Sequence, residues 1–260
     1  MKIVSLSINW NELDVAKDSI RRLLKEPIDE VWLVDNGSTD GSKEYFGNIK
    51  DLKFHFISLP KNMGSSVGRN VGIDKIDADY IFLLDSDILY VKGTIKEYQK
   101  ILDIYPDAYC VGQNSMELLD KLGHNGEFDI MEADLSMGTE YQISDWFPQA
   151  WTQYGLFRGE LLRKIRFYDE GVFGKEGYGF DDDDLHHQMT KLGYVSLACT
   201  LPIYYHFAHG GWRELGKINK DDNMKQRKKV FEKRWGKGSS FGDTLSKGNI
   251  IKTYRKNPNS

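Results

Sequence analysis

Three carboxylates stand where an apolar run gives way to small, turn-forming residues. Asp85 and Asp87 fall at the end of residues 80–89, YIFLLDSDIL, and Asp35 closes the apolar start of residues 31–42, VWLVDNGSTDGS. Carboxylate oxygens bind hard divalent cations and accept hydrogen bonds from sugar hydroxyls. In open α/β sheets ligands bind at the carboxyl ends of strands, so the three together predict a site for a nucleotide and a divalent metal. On one extended strand Asp85 and Asp87 would share a face, roughly 6.6 Å apart at ~3.3 Å per residue. That gap is wide for two direct ligands of one small ion with metal–oxygen distances near ~2.1 Å. A division of labour follows, in which one carboxylate holds the metal and the other a sugar hydroxyl or a metal-bound water. Ser86 is small enough for a ligand to lie close. The plainer reading is a strand end made of turn formers, and Asp35-Asn36-Gly37-Ser38 is a turn sequence in any case. Its functional reading makes Asp35 an acceptor for a base or a ribose.

Residues 61–70, KNMGSSVGRN, place Gly64 and Gly68 where a backbone can approach closely at a helix start. Arg69 adds a fixed positive charge, expected to pair with Asp35, with a nucleotide, or with a helix neighbour as a purely structural ion pair. Residues 181–184 are four consecutive aspartates ahead of Leu185, Met189 and Leu192. Acidic residues at a helix N-terminus gain about 0.3–1 kcal/mol each from the helix dipole, which accounts for one or two of them. Asp182 precedes Leu185 and Met189 by helical intervals and so shares their inward face, as a general base facing a cleft would. Asp184 aligns with Gln188 and Lys191 on the expected wet side. His206 is the expected third metal ligand and His209 its reserve, although histidines beside tyrosines are commonly structural. Residues 210–213, Gly-Gly-Trp-Arg, suit a mobile flap or an ordinary turn. Lys225, Arg227, Lys228, Lys229, Lys233 and Arg234 form a basic stretch whose Val230, Phe231 and Trp235 supply an apolar side. A docked helix with a solvated face is the default, and an anionic acceptor, nucleic acid or membrane surface is the sharper alternative.

The elements that must position these groups follow from periodicity. Strands are expected at 2–8, 31–34, 54–58 and 80–84, with helices at 13–25, 41–49 and 65–73 between them. Strict β-α alternation implies a mostly parallel sheet with helices on both faces. A helix at 94–105 and a strand at 108–112 follow. Residues 117–151 have no sustained period and are expected as loops and short elements lining a cleft. Beyond them a helix is expected at 156–165, another at 185–192, a strand at 195–206 and a helix near 224–235, with the last dozen residues disordered.

Composition narrows the class. The chain has 260 residues, 40% hydrophobic and 28% charged, as a single soluble α/β body would. The net charge of −4 argues weakly against a general polyanion binder. Cys110 and Cys199 lack a second Cys or His at metal-ligand spacing and are expected as buried thiols. No apolar run reaches the ~18 residues of a membrane span, and residues 1–10 lack the features of a signal peptide, so the protein is expected in the cytoplasm.

These motifs, taken in order, resemble those of the family 2 glycosyltransferases, of GT-A fold. Asn9-Trp10-Asn11 is similar to the family's Thr-Tyr-Asn, VDNGSTDGS matches almost letter for letter, and residues 62–73, NMGSSVGRNVGI, resemble its Asn-x-Gly-x-x-x-Ala-Arg-Asn-x-Gly-Ile. DSD matches the Asp-x-Asp motif, residues 167–194 resemble the acceptor half, and FEKRWG resembles a common family ending. The resemblance spans about residues 2–236. It implies a single Rossmann-like GT-A domain, a nucleotide-sugar donor with UDP-sugars first, a Mn2+ or Mg2+ ion, and inverting transfer to an acceptor hydroxyl of unspecified class. Residues 1–115 would be the donor half, 116–215 the acceptor-binding and catalytic half, and 216–260 a C-terminal helix with a basic tail. By position Asn9, Asp35 and Arg69 would meet the nucleoside, Asp85 and Ser86 the ribose or metal water, and Asp87 the metal. Asp182 would take the place of the family's base. Asp181 stands where Glu is usual, which leaves both as candidates. Lys225, Arg227, Lys228 and Lys229 would meet an anionic acceptor or a membrane surface. A nucleotidyltransferase and a catalytically silent nucleotide-binding protein are the rival readings.

Overall fold

A computed structural model describes residues 1–90, 92–113, 140–144, 154–165, 180–199, 204–206, 220–239 and 252–255. The first third alternates as its periodicity dictates: β1 (Ile3–Asn9), α1 (Leu13–Leu23), β2 (Glu30–Asp35), α2 (Ser42–Gly47), β3 (Phe54–Ser58), α3 (Ser65–Ile73) and β4 (Tyr80–Asp85). A short β5 (Ile88–Tyr90), α4 (Thr94–Ile104) and β6 (Ala108–Gln113) follow. Then come β7 (Glu140–Ser144), β8 (Tyr154–Arg158), α5 (Gly159–Lys164), α6 (Asp181–Lys191), β9 (Val195–Cys199), β10 (Tyr204–His206), α7 (Lys220–Trp235) and β11 (Lys252–Arg255).

Among the described residues one sheet of nine strands runs β11-β7-β9-β6-β8-β4-β1-β2-β3, and β10 pairs with β5 in a separate ribbon. Strands β3, β2, β1 and β4 are parallel neighbours. β8 runs antiparallel between β4 and β6, β6 is parallel to β9, and β7 opposes both β9 and β11. Only β7 and β8 of the nine therefore run against the rest, so the sheet is mostly parallel.

Both faces are covered, as an uninterrupted apolar strand such as β4 requires. Tyr80, Phe82 and Leu84 pack with Ala16, Ile20 and Leu23 of α1 and with Tyr98, Ile101 and Leu102 of α4. Ile81 and Leu83 point the other way, into a cluster with Ile73 of α3, Leu161 and Leu162 of α5, and Leu185 and Met189 of α6. The period-two alternation of one strand thus fixes which helices lie on which side.

The later elements depart from the sequence expectations. Leu156 and Phe157, expected in a helix, lie in β8, where they pair with Phe82 and Ile81 of β4. Their apolar run is too short to separate a buried strand from a helix by period, and the helix starts only at Gly159. Of the strand expected at 195–206, residues 195–199 and 204–206 are strands in different sheets. Residues 252–255, expected as disordered, pair as β11 with β7. Of the segment expected as loops and short elements, residues 140–144 are β7, and most of the rest lies outside the described residues.

Candidate active site

The carboxyl ends of β1, β2 and β4 meet at one edge of the sheet, with Asn9 in register with Asp35 and Ile8 with Asp85. Asn9 and Asp35 are fully buried. The Asn9 amide donates to Asp35 Oδ1 at 3.2 Å and to Ser38 Oγ at 3.2 Å, while the Ser38 N–H donates to Asp35 Oδ2 at 3.2 Å. Ser38 Oγ also accepts from the Asn11 N–H at 3.0 Å, and Asn11 Oδ1 accepts from the Thr39 N–H at 2.7 Å. Asn11 has φ of 57°, the left-handed conformation that Asn tolerates better than most residues. Asp35 therefore organises the turn at 36–38 and closes it against the β1–α1 loop.

A second clamp joins that turn to the loop before α3. Asn36 Nδ2 donates to Asn62 Oδ1 at 3.0 Å and to the Gly64 carbonyl at 3.2 Å, and Asn36 Oδ1 accepts from the Met63 N–H at 2.9 Å. Gly37 lies between, with φ of 77°, and a Cβ there would fall 2.3 Å from the Lys61 carbonyl carbon. Gly37→Ala combines left-handed strain with a backbone clash, and overpacking alone costs about 1–3 kcal/mol. At ~2–4 °C per kcal/mol for a chain of this size, a thermal melt of the variant is expected to fall by roughly 5–10 °C.

Asp85 ends β4, and Ser86 and Asp87 form the turn into β5. The extended geometry expected for Asp85 and Asp87 is thereby corrected, because the chain turns between them. Arg69, 7% exposed at its side chain, donates to Asp85 Oδ1 at 2.5 Å. Of the readings open for it, pairing with Asp35, with a nucleotide or as a structural ion pair, the structure shows an ion pair, made with Asp85, which fixes the first aspartate of the motif. Ser86 is buried and its Oγ donates to Glu12 Oε2 at 3.2 Å, while Asp87 is partly exposed. The β10–β5 register places His206 opposite Ile88, next in sequence to Asp87. His209 and residues 210–213 lie outside the described residues. Among the described residues no three His, Cys, Asp or Glu converge into a preformed metal cluster.

The remaining carboxylates reach the same edge by topology. α6 runs into β9 through residues 192–194, and β9 points the same way as β4, so α6 begins at the carboxyl edge. It packs toward β6 and β9, two to three strand spacings from β4, or roughly 10–14 Å at ~4.8 Å each. The helix starts at Asp181, so all four aspartates occupy its first turn. Asp182 and Asp183 are partly exposed and Asp181 is buried. Asp184, expected on the wet side, is fully buried, accepting from Gln188 Nε2 at 2.8 Å and Trp235 Nε1 at 2.7 Å, with Arg234 at 3.3 Å. Helix α7 covers that side, which a helical wheel of α6 alone could not show. Beneath α6, the Tyr109 hydroxyl meets His186 Nδ1 at 2.9 Å. Burial pushes the Tyr109 phenol well above its usual range, and the charge of Asp182 adds a smaller push in the same direction.

On α7 the basic residues divide. Lys225 and Lys229 are exposed and Lys228 is partly so, but Arg227 is 4% exposed. Arg227 thus belongs to the docked side with Phe231, one turn along, and not to the basic surface expected of it. Sequence reasoning missed Glu12, Asn36, Asn62 and Ser38 as parts of this edge. The Asn-Gly-Ser turn signalled Ser38 as a backbone acceptor, whereas nothing local to Glu12 announces a partner at Ser86.

A doubly covered sheet with a nucleotide-type edge, an Asp-x-Asp turn and an acidic helix mouth on that edge defines the GT-A architecture. Residues 7–126 match the Glycosyl transferase family 2 model.

That match covers somewhat less than half of the 260-residue chain. An uncharacterized glycosyltransferase of Haemophilus influenzae is 45% identical over 60 residues, 22% of this chain and 24% of that protein. Residues 1–349 of TarS from S. aureus, in complex with UDP-GlcNAc, superpose with a TM-score of 0.64 at 16% identity over 94% of this chain and 72% of that one. The mannosyltransferase PcManGT from Pyrobaculum calidifontis, in complex with GDP-Man and Mn2+, gives a TM-score of 0.56 at 17% identity over 76% of this chain and 54% of that one. The matched segments cover between about a quarter and a half of the length of the first curated relatives.

Proposed function

We propose that the chain transfers a sugar, with inversion, from a nucleotide-sugar donor to an acceptor hydroxyl, with UDP-sugars first among the donors. The observation that carries this reading is the convergence on one sheet edge of the Asp35 turn, the Asp85–Asp87 turn and the acidic start of α6. The donors bound to TarS and to the mannosyltransferase support a nucleotide sugar.

The donor chemistry at the Asp85–Asp87 turn fits a hard divalent cation. Asp87 is partly exposed, Asp85 is fixed by Arg69, and the backbone of His206 pairs with Ile88, the residue after Asp87. Carboxylate oxygens with one imidazole suit Mn2+, and carboxylates with retained waters suit Mg2+. Asp87, Asp85 and His206 would hold the ion, which when bound supplies neutralisation of the charge that develops on a departing diphosphate.

The protein's own groups do the rest. Asn9 and Asp35 hold the turn at 36–38 against which the nucleoside lies, and the Asn36–Asn62 clamp keeps the next loop beside it. Ser86 keeps the floor of the turn low. Asp182, partly exposed in the first turn of α6, accepts the proton of the acceptor hydroxyl as that oxygen attacks from the face opposite the leaving group. Such a reaction tolerates little misplacement of the base. The exposed Lys225 and Lys229 with Lys228 offer a surface for an anionic acceptor, and the protein acts in the cytoplasm.

A thermal-shift screen of nucleotide sugars with and without Mn2+ tests the reading, since a ligand that binds only the folded state raises the melting temperature. At ~100 times its dissociation constant, a donor is worth ~2.7 kcal/mol. At least one nucleotide sugar should shift the melt by several degrees, and only with the metal present. A panel that leaves the melt unmoved under both conditions contradicts it.

A further inference from the structure

We propose that α7 is a positioning element for the proton-accepting end of α6, acting through Trp235 and Asp184; this rests on the glycosyl transfer proposed above. Asp184 is fully buried two residues from Asp182. A buried carboxylate is costly unless it is paired and hydrogen-bonded, and Trp235 Nε1 at 2.7 Å and Arg234 at 3.3 Å, both from the end of α7, reach it from outside α6. Capping of α6 needs no such group, because the dipole is served by the partly exposed aspartates beside it.

The same helix and the residues just after it hold α6 at two further points. His187 stacks on Trp235 with centroids 5.0 Å apart and an interplanar angle of 21°, and its Nε2 lies 2.9 Å from the Ser239 carbonyl. Phe180, immediately before α6, has φ of 65°, a conformation that costs a bulky residue energy and persists only when its surroundings enforce it. Its ring stacks at 5.3 Å on Phe231 of α7, which is fully buried. On the opposite side Leu185 and Met189 enter the core and His186 meets Tyr109. Asp182 therefore rides on a helical turn gripped from both sides, and any slide or rotation of that turn breaks the Asp184–Trp235 bond.

Trp235→Phe removes the indole N–H and keeps a ring against His187. In the full chain, with the donor found by the melt screen, kcat is expected to fall ~10-fold or more, since small misplacements of a reacting group cost up to ~100-fold. KM for the donor and the metal-dependent melting shift are expected to stay within about twofold of wild type, because the donor half is untouched. Arg234→Gln, at the rim of the same contact, should give a smaller kcat loss with the same unchanged donor KM. A folded Trp235→Phe protein with wild-type kcat overturns the proposal. So does a parallel loss of donor affinity, which is the mark of a general structural defect. If Trp235→Phe fails to fold, an Arg234→Gln protein with wild-type kcat overturns it equally. Wild-type protein that binds donors but transfers nothing would instead sink the parent reading, and the inference with it.

Discussion

Asp182→Asn is expected to bind the nucleotide sugar as wild type does and to lose transfer by ~100-fold or more, the usual contribution of a positioned general base. The amide keeps the size and polarity of the side chain but cannot take a proton. Asp182 is partly exposed at the carboxyl edge of the sheet, whereas Asp181 is buried and Asp184 is committed to Trp235 and Gln188. Asp181→Asn should therefore have the smaller effect on kcat. Steady-state rates with parallel melting shifts for both variants separate chemistry from binding. Wild-type turnover by Asp182→Asn removes that residue from the mechanism, and a larger loss at Asp181 transfers the role to its neighbour.

Asp87→Ala should act on the other half of the reaction. Outer-shell partners of a bound metal are already worth ~10–100-fold in affinity or activity, and a direct ligand is worth at least as much. At a fixed Mn2+ concentration kcat/KM is expected to drop by ~100-fold, and the melting shift with donor to shrink accordingly. Raising Mn2+ should recover part of both if, as proposed, Asp85 and His206 also hold the ion. An effect that no Mn2+ concentration moves would assign Asp87 to the turn and not to the ion. The Arg69–Asp85 pair makes a useful contrast. Arg69 is nearly buried and engages Asp85 directly, so its loss would disturb the motif without removing a ligand.

The sheet edge that gathers Asp35 and Asp85 was legible in the sequence because strand periodicity and turn chemistry are local. Residues 65–73 and 54–58 form the helix and strand expected of them, and Asp35 and Asp85 end their strands on one edge. What local pattern could not show is which distant element covers which face. The four aspartates were readable as a helix mouth, but the burial of Asp184 depends on Trp235, 51 residues later. Leu156 and Phe157 fit a helix or a strand equally until β4 and β6 are known to flank them. Arg69 carried no sign of its partner, since the ion pair to Asp85 joins α3 to the end of β4 across 16 residues. Glu12 reaches Ser86 across 74 residues, and only the packed sheet brings them together. The flip of Asp87 into a turn also escaped the pattern, because an Asp-Ser-Asp run suits extended and turning backbone alike.

Product analysis tests the central claim most directly. Wild-type protein, Mn2+ and the donor identified by melting are incubated with an acceptor panel, and the nucleotide and sugar products are separated and counted. Sugar transfer predicts one nucleoside diphosphate for each sugar moved, with inverted configuration at the anomeric carbon. Release of pyrophosphate from a nucleoside triphosphate, with no nucleoside diphosphate formed from any sugar donor, would contradict it.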